Sequence, residues 1–403
     1  MCPDGIEKVG LFCYTENEKK RRCRLGYREE RMNASFYLPT AVFFGREALA
    51  KNAGILQNAG KKAFLVTGRH SAAACGALDD VKTVLAAANI PFMLFDKITE
   101  NPPLLLCHKA GQEAAAFGAD LVIGIGGGSP MDAAKAVAAF AADPALAPED
   151  IYDPAKRHEQ ALPLYLIPTT AGTGSEVNPY SVLTLPDGRR KKTFKAADTW
   201  PRAAFVDPRY TASMPRETTI STALDAFAHA MESYLSPKST VFSEHAALFA
   251  AKELFDVLSQ DPTTFDEDMR ERLSAAATAA GAAISVTGTG FPHPLGYSLT
   301  LLDGVPHGRA CAAFAGDYLT YNEKTEAGAA RIAAFCAHIG AKPGVLKVFL
   351  PALAGVEFRF TEEQIKERVD LVKGAGNYQN SPYVLSEAEM LDIYRAHFGS
   401  KKR

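Results

Sequence analysis

The sequence predicts a parallel α/β domain followed by an all-helical domain, and three observations lead to this prediction. The chain has 403 residues, of which 47% are hydrophobic and 22% charged, as in an ordinary folded protein of two or three domains. Short apolar runs alternate with segments of helical periodicity over the first half of the chain. After about residue 208 only helical patterns follow.

The first 31 residues form a loose extension in this interpretation. Three of the seven cysteines, Cys2, Cys13 and Cys23, lie here, next to a dense charge run at 18–22. No apolar segment is long enough for a secretory signal, and the acidic residues argue against a mitochondrial presequence. We therefore expect a cytoplasmic protein, with Met32 as an alternative start. A functional basic arm is the competing interpretation of this segment.

The first domain is predicted to span residues 32–208 and to hold a parallel sheet. Helical patterns at 76–89 and about 104–117 separate lysine-led or glycine-closed apolar runs, and such alternation favours parallel strands with right-handed crossovers. A hairpin-like insertion is predicted over 177–206, including the apolar run at 203–206. The predicted strands lie at 36–39, 41–45, 62–68, 92–96, 120–126 and 164–167.

The second domain, residues 209–403, is predicted to be all helical. Helices are expected at 216–235, after Pro215, and then at 241–259 and 268–286. Net charge is −2, which argues against a nucleic-acid-coating role, and no run of 18 apolar residues indicates a membrane span. Cys75, Cys107, Cys311 and Cys336 are isolated in apolar or Ala-rich settings, so buried reduced thiols are expected.

Two glycine-rich turns follow predicted strands and carry candidate ligand-binding residues. GGGSPMDAAK at 126–135 opens a helix, where glycines allow a phosphate close to the backbone and the helix N-terminus offers free N–H groups. Its spacing is neither GxGxxG nor a P-loop, and a plain tight turn is the alternative. TTAGTGSE at 169–176 predicts a ligand-facing loop at the carboxyl ends of the strands, or otherwise a capped helix start.

Four residues of the second domain form a candidate metal site. Asp225 and His229 lie four residues apart and therefore share one face of the helix 216–235, although a surface or capping pair has the same spacing. His293 and His307 flank a Gly- and Pro-rich stretch. One carboxylate and three imidazoles suit a divalent ion such as Fe(II) or Zn(II).

Taken together, these motifs resemble those of the iron-containing (group III) alcohol dehydrogenases. The resemblance rests on the two glycine turns, ALDAFAHAMESYLS at 223–236 and PHPLG…VPHG at 292–308, and covers nearly the whole chain after the extension. It implies a Rossmann-like nucleotide domain before a helical metal domain, in the dehydroquinate synthase-like arrangement. It also implies a small aldehyde or alcohol substrate, hydride transfer with a nicotinamide cofactor, and a homodimer.

The resemblance also implies roles for individual residues. Asp225, His229, His293 and His307 would ligate Fe(II), with Zn(II) as the alternative ion. Lys192, in the hairpin, resembles a family lysine near the cofactor ribose. The remaining cofactor residues of the turns are Gly126, Gly127, Gly128, Ser129, Asp132, Thr169 and Thr170.

Two departures from the family pattern affect the expected biochemistry. Where many NAD-preferring members carry an aspartate after the first strand, this sequence has Gly68, followed by Arg69 and, two residues later, Ser71. A carboxylate would repel a 2′-phosphate, so its absence predicts NADP(H) over NAD(H). Four residues after His293, where some members have a proton-relay histidine, stands Tyr297, which either assists proton transfer or only shapes the pocket.

Several competing functions remain at this stage. Glycerol dehydrogenases, maleylacetate reductases and dehydroquinate synthase-like lyases share the superfamily, and the complete Asp and His set favours the alcohol dehydrogenases among them. The alternative from another class is a nucleotide-binding protein without catalysis. Intact metal ligands argue against it.

Overall fold

The computed structural model describes residues 34–157 and 160–399, so the predicted extension at 1–31 lies outside the described residues. An α/β half precedes an all-helical half, as predicted. The strands are β1 (Ala41–Phe44), β2 (Ala63–Gly68), β3 (Phe92–Ile98), β4 (Leu121–Gly126), β5 (Leu164–Pro168), β6 (Ser181–Thr184), β7 (Lys191–Phe194) and β8 (Ala203–Val206). The first six α-helices are α1 (Ala48–Lys51), α2 (Gly54–Gln57), α3 (Ser71–Ala74), α4 (Ala77–Ala87), α5 (Leu104–Phe117) and α6 (Gly128–Ala142).

The main sheet has six parallel strands in the order β1-β8-β5-β4-β2-β3. Its central strands are buried on both faces, which explains their continuous apolar sequences. One face packs on α5 and α6 through residues such as Phe64 and Phe140. The other packs on α2 and α4 through residues such as Leu65 and Val81. Parallel strands place the turns after β2, β4 and β5 at one edge, where ligands bind in open sheets.

Two strand predictions in this half were wrong. Residues 36–39 form no strand, because only Ala41–Phe44 pairs with β8 and Pro39 has no N–H to donate. Residues 203–206, predicted within the hairpin, instead form β8, which lies next to the edge strand β1 of the main sheet. All four of its residues are buried between β1 and β5, whereas the hairpin consists of β6 and β7 alone.

The helical half is built around one long buried helix, α7 (Arg216–Leu235), which starts after Pro215 as predicted. Nearly every residue from Thr219 onward is buried, because α8, α9 and α11 pack around it. A helix buried on all sides is normally apolar throughout, so its buried acids and histidine need a separate explanation. The helices after α7 are α8 (Val241–Leu258), α9 (Glu267–Thr287), α10 (Pro292–Asp303), α11 (His307–Ala312), α12 (Ala315–Asn322), α13 (Glu326–Ile339), α14 (Pro343–Ala354), α15 (Glu362–Val372) and α16 (Glu387–Phe398).

A helix must be long and apolar to cross a membrane. Within residues 34–157 and 160–399, no single helix is long and apolar enough to cross a membrane. Helices α13 and α14, which are bent by 74° relative to each other, are together long and apolar enough for a span, by length and composition only.

Candidate metal centre and cofactor cleft

Helix α7 supplies the first two predicted metal ligands. Asp225 and His229 are one turn apart, and Asp225 Oδ1 lies 3.8 Å from His229 Nε2. Both side chains are buried, with 3% and 5% exposure. The competing interpretation of a surface pair is therefore wrong.

The other two histidines come from the starts of two neighbouring helices. His293 is the second residue of α10, and His307 is the first of α11. Their Nε2 atoms lie 3.6 Å and 3.8 Å from the same Asp225 Oδ1. The structure thus brings all four predicted ligands to one point.

The hydrogen bonding of this cluster fits a divalent ion. Among the residues that the structure describes, Asp225 Oδ1 and His293 Nε2 are buried without a hydrogen-bond partner, an arrangement that costs free energy unless something else satisfies them. Two ligand atoms about 2.1 Å from one ion at a tetrahedral angle stand about 3.4 Å apart. The distances from Asp225 Oδ1 to the three Nε2 atoms are close to this value, so the geometry is compatible with Fe(II) or Zn(II).

Burial and neighbouring charges set the protonation of the cluster. Burial lowers the pKa of His229 to about 4 and that of His307 to about 3, so both imidazoles are neutral donors near neutral pH. Burial favours a higher pKa for Asp225, but the imidazoles of His229, His307 and His293 hold it below its usual value. The carboxylate is therefore ionised, as a metal ligand must be.

A cleft of about 1060 Å³ joins this cluster to the carboxyl edge of the sheet. Gly127 and Gly128 line it, and a Cβ on either would stand 3.1 Å or 2.6 Å from a threonine methyl of the second glycine turn. A Cβ at Gly128 would force Thr173 to shift, and one at Gly127 would make a tight contact with Thr170. Helix α6 begins here with its free N–H groups. The predicted residues that line the cleft are Gly68, Ser71, Gly127, Gly128, Ser129, Asp132, Thr170, Asp225, His229, His293, Tyr297 and His307.

Comparison with known proteins identifies the family. Residues 39–208 match the family model of the iron-containing alcohol dehydrogenases, and residues 219–348 match that of the family's carboxyl-terminal domain. The chain belongs to the iron-containing alcohol dehydrogenase family. It is accordingly an oxidoreductase of the alcohol dehydrogenase and aldehyde reductase group, with Asp225, His293 and His307 at the candidate metal site.

Full-length relatives support the same assignment. An iron-containing alcohol dehydrogenase from Thermotoga maritima is 37% identical, with a TM-score of 0.84 over 90% of this chain and 99% of that one. The NADPH-dependent butanol dehydrogenase of Clostridium saccharobutylicum is 28% identical over 91% of this chain and 98% of its own length. An NADH-dependent butanol dehydrogenase A from T. maritima is 25% identical, with a TM-score of 0.80 over 91% of this chain and 99% of that one.

Four predicted cofactor residues of the dehydrogenase do not line the cleft: Arg69, Gly126, Thr169 and Lys192. Lys192 Nζ instead lies 4.3 Å from the ring centre of Tyr152, whereas the neighbouring Lys191 lines the cleft. Successive side chains of a strand point to opposite faces, so the adjacent Lys191 and Lys192 of β7 point in opposite directions. Of these two lysines of β7, Lys191 is therefore the one that faces the cleft.

Asp132 lines the cleft but is held by hydrogen bonds within the protein. Its Oδ1 accepts a hydrogen bond of 2.5 Å from Ser175 Oγ, and its Oδ2 accepts one of 2.9 Å from the Val182 backbone N–H. Lys135, fully buried one turn later on α6, donates to Ser175 Oγ at 2.6 Å. Asp132 thus joins α6 to the second glycine turn and to the hairpin.

Tyr297 stands beside the metal cluster. Its ring lies 5.7 Å from the His307 ring, and Lys191 Nζ lies 5.1 Å from its centroid. Burial raises the pKa of Tyr297 well above its ordinary value, so the phenol stays protonated. Its position is compatible with either predicted role.

Glu232, the partner of His293, was not among the site residues predicted from the sequence. Glu232 Oε2 accepts hydrogen bonds from His293 Nδ1 at 2.8 Å and from the Gly290 N–H at 2.5 Å. This carboxylate outweighs the effect of burial and raises the pKa of His293 to about 9. With Nδ1 donating to Glu232, Nε2 is directed at Asp225. The sequence held one indication of this role, because Glu232 follows Asp225 by seven residues and so lies on the same face of α7.

Cys311 was predicted only as a buried thiol, and the structure places it at the metal cluster. Its Sγ belongs to a group of donor atoms, with those of Asp225, His293 and His307, that all lie within 4.8 Å of one another. Burial raises the pKa of the thiol well above its ordinary value. The signal in the sequence was its position four residues after His307.

Proposed function

We propose that this chain is an NADP(H)-preferring, metal-dependent reductase of small aldehydes, acting in reverse on primary alcohols. The observation that carries the proposal is that Asp225, His229, His293 and His307 converge in the same cleft as the glycine turn of α6. Family membership supports the reaction class. The substrate oxygen and the nicotinamide would meet at this junction.

The chemistry divides between the bound groups and the chain. When bound, the divalent ion supplies a Lewis acid that polarises the substrate carbonyl, and the nicotinamide supplies the hydride. Gly127 and Gly128 let the pyrophosphate approach the backbone, and the N-terminus of α6 favours its negative charge. Glu232 holds the His293 ring in the orientation that ligation needs.

Proton transfer is proposed to run through water and the cofactor ribose. A relay imidazole is absent at Tyr297, and burial keeps that phenol protonated. Tyr297 would therefore order the water path or shape the pocket.

The preference for NADP(H) is argued from the end of β2. Gly68 lines the cleft, and a glycine brings no carboxylate of its own that would repel a 2′-phosphate. Ser71 also lines the cleft near Gly68. Arg69, the residue after Gly68, is exposed, and its guanidinium would pair with the 2′-phosphate from the solvent side. One relative is named NADPH-dependent and another NADH-dependent. The proposed preference for NADP(H) is therefore based on Gly68, Arg69 and Ser71 and not on the relatives.

The test combines metal analysis with kinetics. Protein loaded with Fe(II) or Zn(II) should bind about one ion per chain and oxidise NADPH with short aldehydes at a higher kcat/KM than NADH. Absence of both metal and turnover would instead support a nucleotide-binding protein without catalysis. Equal or better use of NADH would contradict the cofactor assignment alone.

A substitution at Gly68 tests that assignment directly. A Cβ there would meet Ile98 O at 3.5 Å, an ordinary contact, so a side chain is tolerated. We expect Gly68→Asp to lower kcat/KM for NADPH about tenfold or more, because a carboxylate replaces open space beside the 2′-phosphate. Gly68→Ala, the matched control, should keep the preference. An unchanged NADPH/NADH ratio in Gly68→Asp would place the 2′-phosphate elsewhere.

A further inference from the structure

A fifth side chain with a donor atom stands at the candidate metal centre. Cys311 is fully buried, and its Sγ lies within 4.8 Å of donor atoms of Asp225, His293 and His307. The ligand set that the resemblance implies contains no sulfur. Cys311 thus stands beside the carboxylate and imidazole donors without belonging to that set.

Helix α11 places the sulfur on the side that faces the ligands. Cys311 follows His307 by four residues, so the two side chains share one face of this helix. The same helix packs closely against α7, which carries Asp225. Both ends of α11 thus contribute a donor to the same point.

Among residues 34–157 and 160–399, the hydrogen-bond contacts of the sulfur are with the ring of His307. The sulfur lies 3.7 Å from His307 Nε2 and 3.8 Å from Nδ1, almost equally far from the two nitrogens. A thiol has one hydrogen and cannot be directed at both nitrogens.

The atoms it faces also lack partners. Asp225 Oδ1 and His293 Nε2 are buried, each in a residue 3% exposed, and neither has a hydrogen-bond partner in the part of the chain that the structure describes. These orphaned atoms indicate a cation independently of the cysteine.

We propose that Cys311 is a further ligand to the divalent ion, so that carboxylate, imidazole and thiolate donors share one centre. This inference depends on the proposed function, because it takes Asp225, His293 and His307 as ligands. On binding, the S–H bond breaks, the proton passes to water, and a sulfur lone pair forms the bond to the ion without any change in oxidation state.

The ligand changes which metal the centre favours. Thiolate is a soft ligand, and it suits Zn(II) better than hard oxygen ligands do. Relative to a site of one carboxylate and three imidazoles, this centre should hold Zn(II) or Co(II) in preference to Fe(II).

Cobalt substitution tests the proposal without relying on activity. Metal-free full-length protein given one equivalent of Co(II) should show a near-ultraviolet thiolate-to-metal charge-transfer band beside the visible ligand-field bands. Cys311→Ser should lose the charge-transfer band and keep the visible bands. Cys336→Ser, which removes another buried thiol in the helical half, should retain both.

The outcomes separate this proposal from the one on which it depends. Visible bands without the charge-transfer band in the unmodified protein would overturn Cys311 ligation and leave the metal centre intact. Absence of all Co(II) bands would overturn both proposals. If Cys311→Ser does not fold, X-ray absorption of the Zn(II)-loaded unmodified protein decides, with a sulfur neighbour expected at about 2.3 Å.

Discussion

At the scale of single residues, Asp225 organises the candidate metal centre. Its Oδ1 is the atom from which the Nε2 atoms of three histidines are all 3.6–3.8 Å away. It is buried and ionised, and no hydrogen-bond donor among the described residues reaches that oxygen. A bound cation would offset the cost of burying this charge, which gives a reason for polar residues on the buried helix α7.

Glu232 is expected to act on metal affinity through His293. In Glu232→Gln the shape is kept but the charge that fixes the His293 ring is lost, so metal affinity should fall about 10–100-fold. Competition with a chelating dye measures this. The matched control is Glu176→Gln, a buried carboxylate that accepts a hydrogen bond from Thr278 away from the cluster. Equal metal affinities for the two variants would show that Glu232 is only structural.

Lys191 is expected to make cofactor binding depend on pH. Burial lowers its pKa to about 8, against the attraction of the carboxylates of Asp225 and Asp132. Below that pH the ammonium is charged and attracts the anionic cofactor, and above it the attraction is lost. The Kd for NADPH should therefore rise as pH increases through about 8.

Variants of the two adjacent lysines check this assignment by fluorescence titration. Lys191→Met should bind NADPH about tenfold more weakly at low pH and show a flatter pH profile. Lys192→Met should behave like the unmodified protein, because that side chain lies over Tyr152. The reverse pattern would restore Lys192 as the cofactor residue.

At the scale of elements, the contact between α7 and α11 sets the position of His307. Gly308 permits this contact, since a Cβ there would stand 1.8 Å from Ser221 O and 2.9 Å from the Asp225 backbone nitrogen. The helices meet backbone to backbone. Any side chain at Gly308 must push α11, and His307 with it, away from Asp225.

Gly308→Ala should therefore reduce both stability and metal affinity. The forced shift is expected to cost about 1–3 kcal/mol of unfolding free energy, measured by urea denaturation. Gly344→Ala is the control, because a Cβ on that glycine of α14 meets nothing within 4 Å. Stability equal to the control would mean that the helices separate without cost.

At the scale of the whole molecule, the metal centre joins three helices that are distant in sequence. Ligands come from α7, α10 and α11, and the cleft beside them is completed by turns of the main sheet. A bound ion would hold this assembly together and stabilise the folded state over the unfolded one. The homodimer implied by the resemblance stays a prediction.

Removal of the ion should lower the melting temperature. At a free-ion concentration of 100 times Kd, binding contributes about 2.7 kcal/mol, which a chelator would remove. Scanning calorimetry with and without the chelator measures the shift. Asp225→Asn should melt at the same temperature in both conditions. An unmodified protein that is equally insensitive would contradict a metal centre at this site.

The order of the two halves, α/β before all-helical, and four candidate metal ligands could be predicted from the sequence alone. Periodicity located α7 residue by residue, and buried strands such as β4 were recognisable because both of their faces are covered. Local patterns also placed Gly127 and Gly128 at a ligand-facing turn.

Only the tertiary structure decided which residues meet across the chain. Nothing local indicates that residues 203–206 lie between β1 and β5, because an apolar run does not identify the sheet that it joins. The same holds for Glu232 beside His293 and for Cys311 beside Asp225, which come from separate helices. Lys191 faces the cleft in place of Lys192 because side chains alternate between the two faces of a strand. Which face a residue takes depends on the register of the strand, and contacts between residues far apart in sequence set that register.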